Sequence, residues 1–534
     1  MTELARTTPS PVDHECWFVS ASERGNPATM SDAGREPRAW TEGNDVTVLV
    51  DGAAYFAALA DELRHTGRGD WVYLTDLQVD GDERLAGPGT AIATMLAGAA
   101  RRGVEVRGLL WRSHPVGHAG AERTNLDMAR TVNEAGGDLV LDHRVRRGGS
   151  HHQKLVVIHR PGRGPGGDVA FVGGIDLAHG RHDDATHAGD TQPVQLGERY
   201  GDRPPWHDVQ LRIRGPAVGD LAFGFRERWE DDTPLDTHTL RRWVLARLSR
   251  KADHRAPLAP PVPHSSPCGP HAVQVLRTYP ARRRGYPFAP RGERSVARAY
   301  IKAFANARRL VYLEDQYLWS LDAARALCEA LRRHRELRCV IVIPRYPDPD
   351  GVLGAASRFG RWRVQRALER AGPGRVTVFD LENEAGTPVY VHAKVCIIDD
   401  VWMAVGSDNL NRRSWTHDSE LCCAIVDPIA RLPRETRIRL AHEHLACDEV
   451  DVDDLTDPAR WYDTLVRSAE ALDRWYADRR SGLPGTPAPR PRGRLRVHAP
   501  DRVSTLARPV LHLLHAWVLD PDGRPRDLHR ESRF

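Results

Sequence analysis

Two short segments, 240 residues apart, carry the same pair of reactive side chains: His152 and Lys154 in SHHQKLVVIH, and His392 and Lys394 in VHAKVCIID. In each, His and Lys lie two apart in an apolar, β-branched run, so a strand would present both on one face. The chain has only four lysines (Lys154, Lys251, Lys302 and Lys394) among its 76 Lys and Arg residues, and two of the four fall in this motif. An imidazole beside an ammonium, supplied twice, suits reaction at an anionic phosphodiester. One neutral imidazole can attack phosphorus and form a phosphohistidine, while the other, protonated, gives its proton to the departing alkoxide. Water or an alcohol then attacks, with the second imidazole acting as base. The lysines would balance charge on the phosphoryl oxygens, where one such donor is typically worth ~2.7 to 4 kcal/mol. This scheme needs no metal and no cofactor.

Something must bring the two segments together. Strand-like runs VTVLVD, WVYLTDLQV, VEVRGLLW and DLVLD precede the first motif, with helices near Ala53 to His65 and Gly89 to Arg102. After a Pro- and Ser-rich stretch the pattern restarts: AVQVLRTY, RLVYLEDQYL, RCVIVIPRY and RVTVFDL, with helices near Ser295 to Asn306, Ala323 to Arg333 and Ala356 to Arg370. WVYLTDLQ at Trp71 to Gln78 parallels LVYLEDQY at Leu310 to Tyr317. The expected fold is α/β, with two similar halves related by pseudo-twofold duplication, each a mixed β-sheet flanked by helices, and the site between them. The expected divisions are a polar N-terminal segment (1–43), a first half (44–258), a Pro-rich linker (259–271), a second half (272–450) and a helical, Pro/Arg-rich extension (451–534).

A chain of 534 residues has ample material for such a core, and a net charge of +4 does not select a substrate. The eight cysteines form no C-x-x-C pair and read as buried free thiols. No secretory signal and no run of ~18 apolar residues is visible, which points to a cytoplasmic protein, peripheral at a membrane. The histidine pairs His151/His152, His182/His187 and His442/His444 match no zinc-site spacing. Arg282 to Arg284 read as a solvated loop, and LARPVLHLLHAWVLD near residue 512 as packed on the core.

These motifs resemble the phospholipase D superfamily, whose signature H-x-K-x-x-x-x-D occurs once in each of two halves. The second copy is complete, with His392, Lys394 and Asp399, followed by Gly406-Ser407-Asp408-Asn409, which matches the family's G-S-x-N. In the first copy His159 stands at the Asp position. FVGGIDLAHGRHDD, PWHDVQLRIRGPAVGDLAFGFRERW, LEDQYLW and GSDNLNRRSWTHDSEL are similar to the lipid-hydrolysing branch. The resemblance implies His152 as nucleophile, His392 as general acid, and Lys154 and Lys394 as phosphate ligands. It places Asp399 with the motif strand, and Gly174, Asp176, Ser407 and Asn409 near the phosphoryl group. It gives Asp208 and Glu420 the task of holding the histidines, without saying which serves which. The implied activity is hydrolysis of glycerophospholipids to phosphatidic acid at a membrane surface, with transfer to alcohols, by a monomer with no obligatory nucleic acid. The alternatives are a cardiolipin synthase type of transferase, a nuclease-type phosphodiesterase and an inactive lipid-binding protein.

Overall fold

Apolar alternation builds the strands first. The chain supplies β1 (Thr41–Val50), β2 (Trp71–Asp76), β3 (Glu105–Trp111), β4 (Asp138–Asp142), β5 (Leu155–His159), β6 (Val169–Gly173), the short β7 (Trp206–His207) and β8 (Val209–Arg214). Further on come β9 (His271–Tyr279), β10 (Glu293–Arg294), β11 (Leu310–Glu314), β12 (Arg338–Val342), β13 (Val376–Glu382), β14 (Pro388–Val391), β15 (Val395–Ile398), β16 (Trp402–Gly406), β17 (Glu420–Val426) and β18 (Leu495–Val497). The computed structural model describes residues 13–26, 39–114, 119–236, 255–260, 265–282, 285–347, 351–427, 429–447, 455–481 and 488–534.

Strand order shows the duplication directly. The first repeat runs β1-β8-β6-β5-β2-β3-β4, with β2, β3 and β4 mutually parallel and the other pairs antiparallel. The second runs β9-β17-β16-β15-β11-β12-β13 with the same senses at every step. Two strand pairings and one isolated bridge join the repeats: the start of β1 on β9; β7 beside β14, where Trp206 and His207 face Tyr390 and Val391; and His151 parallel to Ser419.

Side-chain alternation then sorts the layers. On β5, Leu155 and Val157 enter a core shared by both repeats, whereas Val156 and Ile158 pack under the helices Gly52–Arg64 and Ile92–Arg101. On β15, Val395 and Ile397 enter the shared core and Cys396 and Ile398 the helix layer behind it. The result is helix, sheet, shared core, sheet, helix. Burying each of these aliphatic side chains is worth about 1.5–3 kcal/mol relative to exposure.

Five expectations change. The motif residues lie just before β5 and β15, not within them, because the opposite repeat holds their backbone: the His152 N–H donates to the Ser419 carbonyl at 2.9 Å and the His392 N–H to that of His207 at 2.8 Å. A helix at Ala119–Glu134 fills the space between β3 and β4; its apolar face is only Ala121, Met128, Ala129 and Val132, too sparse to stand out among Thr, Asn and Asp. Residues 13–26 are docked: Phe18 is fully buried, the Gln274 side chain bonds both Val19 backbone groups, and Arg24 pairs with Glu293. Of the polar N-terminal segment, 1–12 and 27–38 lie outside the described residues, as do 261–264 of the Pro-rich stretch, Arg283 and Arg284, and 482–487 of the Pro/Arg-rich tail. Near residue 512 Leu511 and His515 are buried, while Leu506, Val510, Leu513 and Trp517 are exposed, so core packing covers one side of that segment alone. All eight cysteines are free, but Cys16 and Cys268 are exposed and Cys447 is half-buried. Among the described residues no helix is long and apolar enough to cross a membrane.

Candidate active site

The crossing of motif segments between repeats decides how each imidazole is held. His152 Nδ1 lies 2.8 Å from Glu420 Oε2, at the start of β17, and His392 Nδ1 lies 2.7 Å from Asp208 Oδ2, between β7 and β8. Each histidine takes its carboxylate from the other repeat. Because the residue before each carboxylate (Ser419 or His207) also accepts that histidine's backbone N–H, ring and backbone are fixed together. The carboxylate keeps the proton on Nδ1 and leaves Nε2, with its lone pair, toward the site.

Both lysines are 1 % exposed. Lys154 Nζ is 3.1 Å from Asp176 Oδ1 and 3.1 Å from the His152 carbonyl. Lys394 bonds the His392 carbonyl and sits 3.4 Å from Gln316 Oε1. Burial, then the neighbouring lysines, push both imidazoles down, His152 to about 3 and His392 well below 6.5, and each feels the lysine of the other motif. Burial draws Lys394 down to about 8 against Asp208 and Asp315. Asp176 is raised by burial, but Lys154, Arg181 and a hydrogen bond from Asp76 outweigh that and hold it low; Asp76, buried beside it, is pushed well up and carries the shared proton.

The two orienting carboxylates are not equivalent. Burial, with Asp418 adding like charge, lifts Glu420 to about 8, whereas burial lifts Asp208 to about 6. At neutral pH the His152–Glu420 pair therefore holds one more proton than the His392–Asp208 pair. A site with one protonated and one unprotonated pair has what acid–base chemistry at phosphorus requires.

Other expected residues fall in distinct places. Gly174 leaves room for Asp208: a Cβ there would lie 2.2 Å from Asp208 Oδ1. Its counterpart Ser407 gives its hydroxyl hydrogen to Glu420. Both therefore serve the carboxylates. Asn409, 3 % exposed, keeps Oδ1 without a hydrogen-bond partner. Asp399 is at the far end of β15, where it accepts the backbone N–H groups of Arg308, Arg309 and Leu310 at 2.7–2.8 Å and ties β15 to β11. It stands at the opposite end of β15 from His392 and braces the strand. In the other repeat the His159 ring packs tilted against Trp71, centroids 4.6 Å apart, and pairs with Asp168 at 2.8 Å, closing the same corner by other means.

The family model for phospholipase D matches residues 71–326, and that for the cardiolipin synthase PLD-like domain matches 300–438, so the two together span both motifs. The chain belongs to the phospholipase D superfamily. This is a superfamily of phosphodiesterases and phosphotransferases. Phospholipase D alpha 1 of Cynara cardunculus is 27% identical over 64% of this chain and 54% of its own length. Phospholipase D beta 2 of Arabidopsis thaliana is 27% identical over 52% of this chain and 40% of its own. The chain thus spans about half the length of the curated relatives it matches. Phosphatidylserine synthase of Haemophilus influenzae Rd KW20 shares the fold, with a TM-score of 0.52 and 14% identity over 82% of this chain and 94% of its own.

In this phospholipase D superfamily member the sequence reading missed three contributors. Arg181 lies 3.9 Å over the Trp206 ring, which in turn lies 4.9 Å from the His392 ring, so a cation stands beside that imidazole. Tyr390 flanks the same ring and accepts from Gln316 Nε2 at 2.6 Å. Arg181 and Trp206 sit inside segments already singled out, but nothing in their spacing marks them, because the stack forms only when β7 meets β14.

Proposed function

We propose that this protein cleaves the headgroup phosphodiester of glycerophospholipids, releasing phosphatidic acid or transferring the phosphatidyl group to an alcohol. The observation that carries this reading is the reciprocal pair of His–carboxylate dyads beside two buried lysines. His152 Nε2 attacks phosphorus and the P–O bond to the headgroup breaks, its oxygen taking the proton of His392. An incoming water or alcohol then loses its proton to His392 as its oxygen attacks phosphorus, and the P–N bond to His152 breaks. Lys154 and Lys394 bind the phosphoryl oxygens, with Arg181 and Asn409 at the rim. Phospholipid as substrate is supported by the relatives named phospholipase D and by the lipid-branch segments around both motifs.

The higher proton affinity of the His152–Glu420 pair is also compatible with a second order of events, in which His392 attacks and His152 donates, and the histidine that carries the adduct decides between them. Both orders form a phosphohistidine and yield the same products. The activity is tested with phosphatidylcholine vesicles and ethanol, followed by mass spectrometry. Phosphatidylethanol from the wild type and none from His152→Ala is the expected result; no product from the wild type would overturn the lipid reading and direct the search to other phosphodiesters.

A further inference from the structure

Behind His392 lies a second buried cluster that the phosphoryl chemistry leaves unused. Asp51 follows β1, His187 comes from the loop before β7, His207 lies on β7, and Glu443 is on the helix Leu432–Leu445. One nitrogen or oxygen atom from each lies within 4.8 Å of all the others. His207 Nδ1 is 3.0 Å from Asp51 Oδ1 and 2.9 Å from Glu443 Oε1, which is 3.3 Å from His187 Nε2. Ligands at ~2.0 Å around a tetrahedral ion stand roughly 3.3 Å apart, so these three separations are close to the edges of a coordination shell.

Orientation separates this from an ordinary hydrogen-bond network. Despite their short separations, Glu443 Oε1 and His187 Nε2 make no hydrogen bond of acceptable geometry, and Asp51 Oδ2 has no partner either. His207 Nδ1 and Asp51 Oδ1 are hydrogen-bonded to each other at 3.0 Å, which leaves three buried polar atoms of the cluster without a partner. The two histidine side chains are fully buried, and those of Asp51 and Glu443 are 2 % and 7 % exposed. The outer ring nitrogens are occupied as metal-bound imidazoles require: His187 Nδ1 lies 3.2 Å from the Trp206 carbonyl, and His207 Nε2 is 3.0 Å from Glu314 Oε2. Glu314 is itself held by His444 at 2.8 Å and by the Tyr312 hydroxyl. Asp51 and His187 also sit at positive φ, 66° and 52°, where side chains of this kind are costly to hold.

We propose that Asp51, His187, His207 and Glu443 bind one divalent transition-metal ion of the zinc class, in a closed two-histidine, two-carboxylate site. Two carboxylates neutralise the ion without leaving a net buried charge, and nitrogen with oxygen donors suits zinc better than calcium or magnesium. No position is left for substrate, so the ion is structural. Its place follows from the chain: His207 is next to Asp208, so an ion fixing β7 would fix the carboxylate that orients His392. His187 and His444 were each noticed in the sequence as half of a pair, but their partners come from distant segments.

The full chain, purified without chelator and desalted after incubation with excess Zn2+, should retain about one zinc per chain by plasma mass spectrometry. X-ray absorption on that sample should show two imidazoles with oxygen and no sulfur. His187→Gln and Glu443→Gln should each fall below about a tenth of that occupancy. Glu314→Gln should weaken zinc about 10–100-fold, and His392→Ala should keep full occupancy. Folded wild-type protein that retains no zinc would overturn the proposal and leave a protonated His207 balancing the carboxylates. Sulfur in the wild-type absorption spectrum, or full occupancy in His187→Gln, would overturn it by placing the ion elsewhere, and the spectrum decides even if the variants do not fold.

Discussion

At the scale of single residues, the dyads make proton count the controlling variable. Burial keeps both imidazoles unprotonated in this range, so the carboxylates titrate: below about 6 both are protonated and neither draws on its imidazole's Nδ1 proton, and above about 8 both are ionised and no proton is left for the departing oxygen. The productive site, with one proton shared unequally between the pairs, is populated between those limits. The profile of kcat/KM against pH should therefore be bell-shaped, with limbs near 6 and 8, whichever histidine attacks. Glu420→Gln should remove the alkaline limb and Asp208→Asn the acid one. A flat profile across that range would contradict the assignment. Gly174→Ala tests the positioning side: its methyl group would strike Asp208 Oδ1, so turnover should fall by roughly two orders of magnitude while thermal unfolding changes little.

At the scale of elements, one buried ionic group joins β4 to the helix Ala217–Glu230. Asp142 Oδ2 receives Arg144 Nη2 at 3.0 Å and Arg228 Nε at 2.7 Å, and Arg228 Nη1 reaches Ser419 Oγ at 3.0 Å, next to the carboxylate of the first dyad. Burial raises Asp142, but the two guanidinium groups outweigh it and hold the carboxyl well below its usual range. A depressed folded-state value contributes stability that is present above the unfolded carboxylate range and lost as pH falls through the folded one. Asp142→Asn leaves the buried Arg228 without its carboxylate and Arg144 with Asp231 alone, and should cost about 3–5 kcal/mol in chemical denaturation at neutral pH. A loss under 1 kcal/mol would show that solvent reaches the pair.

Elements are also where sequence reading succeeded and failed. The strand repeats were legible because Val, Ile and Leu alternate strongly there, and the helix Ser295–Asn306 was placed to the residue. The helix Ala119–Glu134 was not, since four small or medium apolar residues suffice to dock it. His152, Lys154, His392 and Lys394 stood out because lysine is scarce. Which carboxylate serves which histidine was hidden, because the answer depends on backbone bonds from Ser419 and His207 that only the assembled repeats make.

At the scale of the molecule, the two repeats exchange the parts that make each histidine work. A change in one repeat should therefore disable the histidine of the other. Glu420→Gln should slow formation of the phosphohistidine, while Asp208→Asn should chiefly slow departure of the headgroup. With a p-nitrophenyl leaving group, which needs no proton, the Asp208→Asn defect should shrink from roughly 10²–10⁴-fold toward none, and the Glu420→Gln defect should persist. Equal rescue of both variants would mean that the dyads do not divide the work in this way.

A covalent bond between His152 and phosphorus is the step on which all the chemistry proposed for the two repeats depends. Wild-type protein mixed with a phospholipid substrate, quenched in base within a turnover and digested for mass spectrometry, should carry a phosphatidyl group on His152. His152→Ala should carry none. Turnover with no adduct on either histidine, or an adduct on His392 in both proteins, would contradict it.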